Sequence, residues 1–97
     1  MQFMVTAFDF TDAQALERRM ANREAHLAGA RALIDQGRFL SGGAILDDSG
    51  RMIGSTLHLD FPDRLALDSC LNADPYIRGK VWEKIEIREV RLLPVKA

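Results

Sequence analysis

An imidazole that works as a general acid or base needs a partner to fix its tautomer, and a carboxylate serves that purpose well. His26 and Asp74 are the two residues of this sequence that could form such a pair. Arg23 lies one helical turn before His26, where its guanidinium could sit over the same pocket and hold an anionic group. Tyr76, two residues after Asp74, would add an aromatic wall and a hydroxyl, and Ser55 could reach the same cleft from a strand. Each of these residues also has an ordinary structural use. A histidine bonded to an aspartate pins two helices together, and Asp74 could simply cap a short turn that starts at Pro75. A lone strand serine is more often a packed hydroxyl than a ligand contact. Beyond these, the chain has no glycine-rich phosphate loop, serine-nucleophile elbow or histidine pair at metal spacing, and Gly42-Gly43 alone is a weak signal.

The elements that must position these residues follow from periodicity. Residues 2–9 alternate, with Phe3, Val5 and Ala7 on one face and Met4, Thr6 and Phe8 on the other. Both faces are largely apolar, which suits a central strand covered on both sides. Thr11 or Asp12 can cap a short helix over 13–20, with Asn22 as a break or second cap before the main helix, which runs from Arg23 and stops at Gly37. Leu27, Ala30 and Ile34, widened by Leu33, define a buried stripe on that main helix, and His26 stands on its shoulder. Gly37 is a good residue for a left-handed stop. A strand over 38–46, a turn at Asp47-Asp-Ser-Gly50 and a strand over 52–60 predict a hairpin, with the paired glycines marking a bulge or a close backbone approach. A helix from Asp63 to about Ala73 ends at Asp74-Pro75. The last strand spans 81–93, with a bulge expected near Arg88 and Glu89.

This β-α-β-β-α-β order predicts an α+β fold with a four-stranded antiparallel sheet and both helices on one face. The other face, with Met4, Thr6, Phe8, Thr56 and Leu40, is too apolar to stay fully wet, so two copies are expected to pack sheet to sheet. His58 falls on that face and reads as an interface residue.

Composition narrows the function classes. Ninety-seven residues make one small domain over 1–97, and a net charge of −1 without a basic cluster argues against nucleic acid or anionic lipid as a partner. No apolar run is long enough to span a bilayer and Met1 leads straight into a strand, so a cytoplasmic location is expected. The single Cys70 excludes an internal disulfide and a multi-thiolate zinc site, and its apolar neighbours read it as a small core residue.

Several stretches together carry a resemblance. Asn22-Arg-Glu-Ala-His-Leu27, Gly37-Arg-Phe-Leu-Ser-Gly-Gly43, Gly54-Ser-Thr56 and Ala73-Asp-Pro-Tyr76 are similar, in order and spacing, to the YciI-like (YCII-related) family of small bacterial proteins. The resemblance implies a ferredoxin-like βαββαβ domain that dimerises into a shared α/β barrel. It implies an active site built from a histidine and an aspartate, which map onto His26 and Asp74. Arg23, Ser55, Pro75 and Tyr76 match positions that accompany that site. Related dimeric barrels include muconolactone-isomerase-like enzymes and cofactor-free monooxygenases of small aromatics.

Three functions follow as expectations. The first is an enzyme of lyase, isomerase or dehalogenase type on a small anionic or phenolic molecule, with His26 moving the proton, Asp74 orienting it, and Arg23, Ser55 and Tyr76 holding substrate. That chemistry needs neither a metal nor an organic cofactor, and two ligands per chain would make a poor metal site. The second is a dimeric module that binds a small ligand without turnover. The third is an accessory partner of a larger enzyme. Removing His26 separates the first two, since turnover would vanish in one and affinity alone would change in the other.

Overall fold

The computed structural model describes residues 1–95. Strand β1 (Gln2–Asp9) leads to helix α1 (Ala15–Asp35), then strands β2 (Phe39–Leu46) and β3 (Met52–Asp60). Helix α2 (Arg64–Asn72), the one-turn helix α3 (Pro75–Arg78) and strand β4 (Trp82–Val90) complete the chain. The four strands form one antiparallel sheet in the order β2-β3-β1-β4, the ferredoxin-like arrangement. No helix among the described residues is long and apolar enough to cross a membrane.

The alternation of β1 sets the two sides of the sheet. Phe3, Val5, Ala7 and Asp9 are buried, while Met4 and Thr6 are half-buried and Phe8 is exposed on the opposite face. Leu57 and Leu59 of β3, opposite Val5 and Phe3, extend the inner face, and Leu67, Leu71 and Tyr76 close over it from the helical layer. Each fully buried leucine of this core contributes roughly 1.5–3 kcal/mol of transfer free energy. Asp63 caps α2 by accepting the Ala66 N–H at 2.8 Å.

Three expectations are corrected by the structure. The break at Asn22 does not occur, and 15–35 is one continuous helix. Asn22 instead donates its side-chain amide to the Arg18 carbonyl at 2.8 Å, an i−4 bond that keeps it inside the helix. A Cβ at Gly79 would overlap that amide, so the residue read as a breaker packs against the turn before β4. The buried stripe also differs. Ile34 is exposed, Leu27, Ala30 and Leu33 are half-buried, and the positions facing the core are Ala15, Arg19 and His26. Polar side chains occupy the innermost positions of α1, and Leu27, Ala30 and Leu33 flank them towards the cavity and the core, so of the expected stripe only Ile34 faces away. Third, β4 has no bulge near Arg88 and Glu89. Its pairing with β1 runs unbroken from Val90 opposite Gln2 to Lys84 opposite Phe8, and the register shifts only at Phe8/Asp9. Val90 lies on the open face beside Gln2, so no irregularity is needed to place it. The strand stops at Val90, three residues short of the expected end.

The stops and turns follow their chemistry. Gly37 takes φ +74° and donates to the Ile34 carbonyl, while Arg38 donates to Leu33, the paired bonds of a Schellman stop. In the β2–β3 turn the Asp47 carboxylate accepts from Ser49 N–H, Ser49 Oγ–H and Arg51 N–H, which holds its pKa below the usual value. A Cβ at Gly42 would collide with the Thr56 carbonyl and the Phe39 ring, the close approach expected of the paired glycines. Asp12 does not serve as the helix cap proper. It accepts the Gln14 N–H and both terminal nitrogens of Arg18, each of the latter at 2.8 Å.

The Arg18 hydrogen bonds pull the Asp12 carboxyl from 3.8 down to about 2. A carboxyl whose pKa is depressed by folding stabilises the fold at pH values above its unfolded pKa. This contribution is therefore complete above pH 3.8 and is lost as the pH falls through about 2. A carboxyl NMR titration should place the Asp12 midpoint near 2, and Arg18→Ala should return it towards 3.8.

Candidate functional site

Helix α1 brings Arg19 and His26 to the inner side, two turns apart on one face. The junction between α2 and α3 supplies the partner for the histidine. Pro75 begins α3 with φ already suited to a helix, and Asp74 caps it by accepting the Tyr76 N–H at 2.8 Å. That cap fixes the carboxylate before the imidazole meets it. His26 Nδ1 lies 2.9 Å from Asp74 Oδ1 and 3.1 Å from Oδ2. An ionised carboxylate only accepts, so Nδ1 carries the hydrogen and Nε2 of the neutral ring keeps its lone pair. Nε2 has no partner among the described residues, yet it is not among their sealed, unsatisfied polar atoms. Asp74 thus performs both tasks weighed from the sequence, capping a turn and holding a histidine.

The Tyr76 ring stacks on the imidazole at 3.9 Å between centroids and 10° between planes. Trp82 stands edge-on to both rings, at 5.7 Å from His26 and 5.5 Å from Tyr76. Burial pushes the Tyr76 phenol above its usual pKa of 10, against the pull of Arg19 and Arg23. Its hydroxyl is therefore neutral at physiological pH and offers a hydrogen rather than a base.

A second buried cluster adjoins the first. Arg19, 3% exposed, grips both oxygens of Asp9, itself buried, through Nη1 at 2.9 and 3.0 Å. Its Nη2 donates to Ser55 Oγ at 3.0 Å, and its guanidinium lies 4.8 Å over the Tyr76 ring. Trp82 Nε1 donates to the same serine oxygen at 3.1 Å. Burial raises the Asp9 carboxyl, and the bonds and charge of Arg19 oppose that rise.

A cavity of about 170 Å³ joins the two clusters, with Arg19, Arg23, His26, Ser55 and Tyr76 on its polar side. Leu27, Phe39, Met52 and Leu57 form the apolar side. Arg23 is exposed and makes no ion pair with any described residue, so its guanidinium is available at the cavity wall. Asp74 does not line this cavity. It lies behind the imidazole, against a gap of about 20 Å³ shared with Cys70 and Leu71. Burial raises the Cys70 thiol, with the charge of Asp74 adding to the effect, so this sulfur is a poor nucleophile. A separate hollow of about 330 Å³ is bounded by Phe8, Phe10, Asp47 and Arg51, and no imidazole reaches it. His58 bonds to Ser41 Oγ at 2.9 Å on the opposite sheet face and takes no part in the cavity.

Among the described residues no three His, Cys, Asp or Glu side chains converge to hold a metal. His26 and Asp74 offer two donors that already bind each other.

The residues that sequence reasoning missed are Arg19, Asp9 and Trp82. Their signals were present. Asp9 continues the inward parity of Phe3, Val5 and Ala7, which demands a buried cation. Arg19 lies seven residues before His26, on the same face of a helix. The supposed break at Asn22 concealed that relation.

Comparisons with known proteins agree with this architecture. The profile of the YCII-related domain matches residues 1–91. Two curated relatives, each named Protein YciI, come from Escherichia coli O6:H1 and Shigella flexneri. Both are 33% identical over 94 residues, covering 91% of this chain and 94% of the relative. Among solved structures, the 5-chloro-2-hydroxyhydroquinone dehydrochlorinase TftG from Burkholderia phenoliruptrix, in complex with 2,5-dihydroxybenzoquinone, is similar with a TM-score of 0.81. It is 23% identical, and 94% of each chain is covered. A dimeric ferredoxin-like protein of unknown function from Jannaschia is similar with a TM-score of 0.56 at 14% identity, over 94% of this chain and 98% of that one. At these identities the structural likenesses speak for the fold.

Proposed function

The chain belongs to the YCII-related domain family, and we propose on that premise that it is a cofactor-independent proton-transfer enzyme of lyase, isomerase or dehalogenase type. Its substrate would be a small anionic or phenolic molecule. One observation carries the reading: His26 is held through Nδ1 by Asp74, while Nε2 is left without a partner in a residue that lines the cavity. A neutral imidazole with one lone pair fixed in direction is the arrangement that general-base work requires.

The roles follow from position. His26 Nε2 takes a proton from the substrate and returns it to the product or to water. Asp74 accepts from Nδ1 throughout, keeping the tautomer and stabilising the imidazolium while it lasts. Arg23 draws an anionic substrate to the cavity wall, and Tyr76 presents a flat surface against which the imidazole is fixed. The cavity takes a single substituted ring. Elimination of HCl fits this scheme. From the keto tautomer of a chlorinated hydroquinone, His26 would accept the hydroxyl proton and the O–H electrons would form a carbonyl. The ring double bond would shift to the chlorine-bearing carbon, and chloride would leave with the C–Cl pair to give the hydroxyquinone. The dehydrochlorinase among the structural neighbours supports that choice within the class.

The open sheet face is assigned in the same proposal to a homodimer interface. Phe8 and Leu40 are each more than two-fifths exposed there, and a structural neighbour is described as dimeric.

The test uses 5-chloro-2-hydroxyhydroquinone for chloride release and hydroxylated quinones in D₂O for ring-proton exchange. The wild-type protein should accelerate at least one of them, and His26→Gln should not. A wild-type protein inert in both assays, or a His26→Gln protein as fast as wild type, would overturn the proposal.

A further inference from the structure

Strand β3 carries an irregularity beside the cavity. Its two steps from Met52 to Gly54 lie opposite the single step from Leu46 to Ile45 on β2, so Ile53 is the extra residue of a bulge. Strict alternation would put Met52 with Thr56 and His58 on the open sheet face. The extra residue resets that parity and brings Met52, half-buried, to the apolar side of the cavity of about 170 Å³. Met52 also borders the hollow of about 330 Å³, and it is the one described residue that lines both. The Asp9–Arg19 ion pair stands between the two spaces as well, Asp9 towards the hollow and Arg19 towards the cavity. That pair is buried and held by two hydrogen bonds, so it is fixed. Met52 is the adjustable part, since its unbranched thioether chain has three rotatable bonds.

We propose that Met52 sets the size limit of the ligand, closing the cavity against the hollow so that it accepts one ring and rejects two fused ones. The inference rests on the phenolic ligand class of the proton-transfer reading and adds the residue that decides which phenols enter. Pockets for drug-sized ligands run to about 300–1,000 Å³. The cavity alone, at about 170 Å³, falls short of that range, and joined to the hollow of about 330 Å³ it would enter it. A second ring passing the Met52 position would meet Phe8, Phe10 and Ile53, aromatic and aliphatic surface against which it can pack. The space beyond is thus suited to a larger ligand, and the side chain at position 52 is what withholds it. Steric discrimination of this kind is sizeable, since a single methylene in an apolar pocket changes recognition by about 10- to 200-fold.

The test is a calorimetric titration with two phenolates matched in charge, 4-nitrophenolate and 4-nitro-1-naphtholate, at a mildly alkaline pH where both are ionised. Wild type should bind the single-ring ligand at least about tenfold more tightly than the fused one. Met52→Ala should erase or reverse that order, tightening the fused ligand by about tenfold or more and weakening the single ring severalfold. Met52→Leu, which keeps the side-chain volume, should preserve the wild-type order. Circular dichroism verifies the fold of each variant, and should Met52→Ala not fold, the ratio in Met52→Val decides. Equal binding of the two ligands by wild type, no binding of 4-nitrophenolate, or a wild-type ratio in Met52→Ala overturns the assignment. Neither probe has to react, so the ratio is read independently of turnover. Full turnover in His26→Gln removes the proton-transfer proposal, and an unchanged ratio in Met52→Ala removes this one.

Discussion

His26→Gln should lower kcat by about 10²- to 10⁴-fold in any proton-transfer reaction this protein catalyses, the usual share of one positioned acid–base group. Glutamine retains much of the length and can donate an amide N–H to Asp74, so the capped α2–α3 junction should persist. What disappears is the lone pair at the Nε2 position. Because the imidazole acts on the transition state, kcat should fall with KM little changed. Asp74→Asn should fall by a similar factor. The asparagine amide can turn a hydrogen towards Nδ1 and drive the ring into the other tautomer, while the Tyr76 stack still holds its plane. Stopped-flow or chloride-release kinetics on the two variants, with circular dichroism to verify folding, measure both effects.

The largest effect on stability is expected from Arg19→Met, a loss of about 3–5 kcal/mol. The substitution preserves much of the side-chain volume and leaves the Asp9 carboxylate buried with no cation. It also removes one of the two donors to Ser55 and the guanidinium over Tyr76. For a domain of this size such a loss lowers Tm on the order of 15 °C or more. Replacing both partners, Arg19→Met with Asp9→Leu, should recover much of it, since neither charge then remains to be desolvated. The sign of the pH dependence follows from burial, which already raises Asp9 above its ordinary 3.8 in the intact pair. Losing Arg19 removes the groups that oppose the rise. A carboxyl whose pKa is raised by folding favours the fold below its unfolded pKa and withdraws that support as pH climbs through the folded value. The deficit of Arg19→Met should therefore be full near neutrality and shrink on acidification towards 3.8. Urea unfolding at two pH values reads this directly.

The fold was largely legible because its punctuation is local. Gly37 at positive φ, the Asp47–Gly50 turn and Asp74-Pro75 each act through their own backbone geometry, which sequence carries without tertiary information. The alternation of β1 was legible for the same reason. The inner face of α1 was not. Its buried positions hold Arg19 and His26, whose burial depends on partners distant in sequence, Asp9 and Ser55 for one and Asp74 for the other. Without those partners a charged residue in a helix reads as a solvated one. Asn22 misled by residue type, since its side chain finds an i−4 carbonyl and a glycine to lie against. Arg23, singled out from its spacing to His26, is exposed on the cavity wall, whereas the arginine one turn earlier is the one built into the core.

The decisive measurement is a ¹⁵N NMR spectrum of the His26 ring, recorded for wild type and for Asp74→Asn at a pH where the ring is neutral. The wild-type protein should show the hydrogen on Nδ1 and an unprotonated Nε2, with the pattern lost in Asp74→Asn. A wild-type ring that carries its hydrogen on Nε2, or one whose pattern ignores the Asp74 substitution, would contradict the assignment of His26 as a base held by that carboxylate.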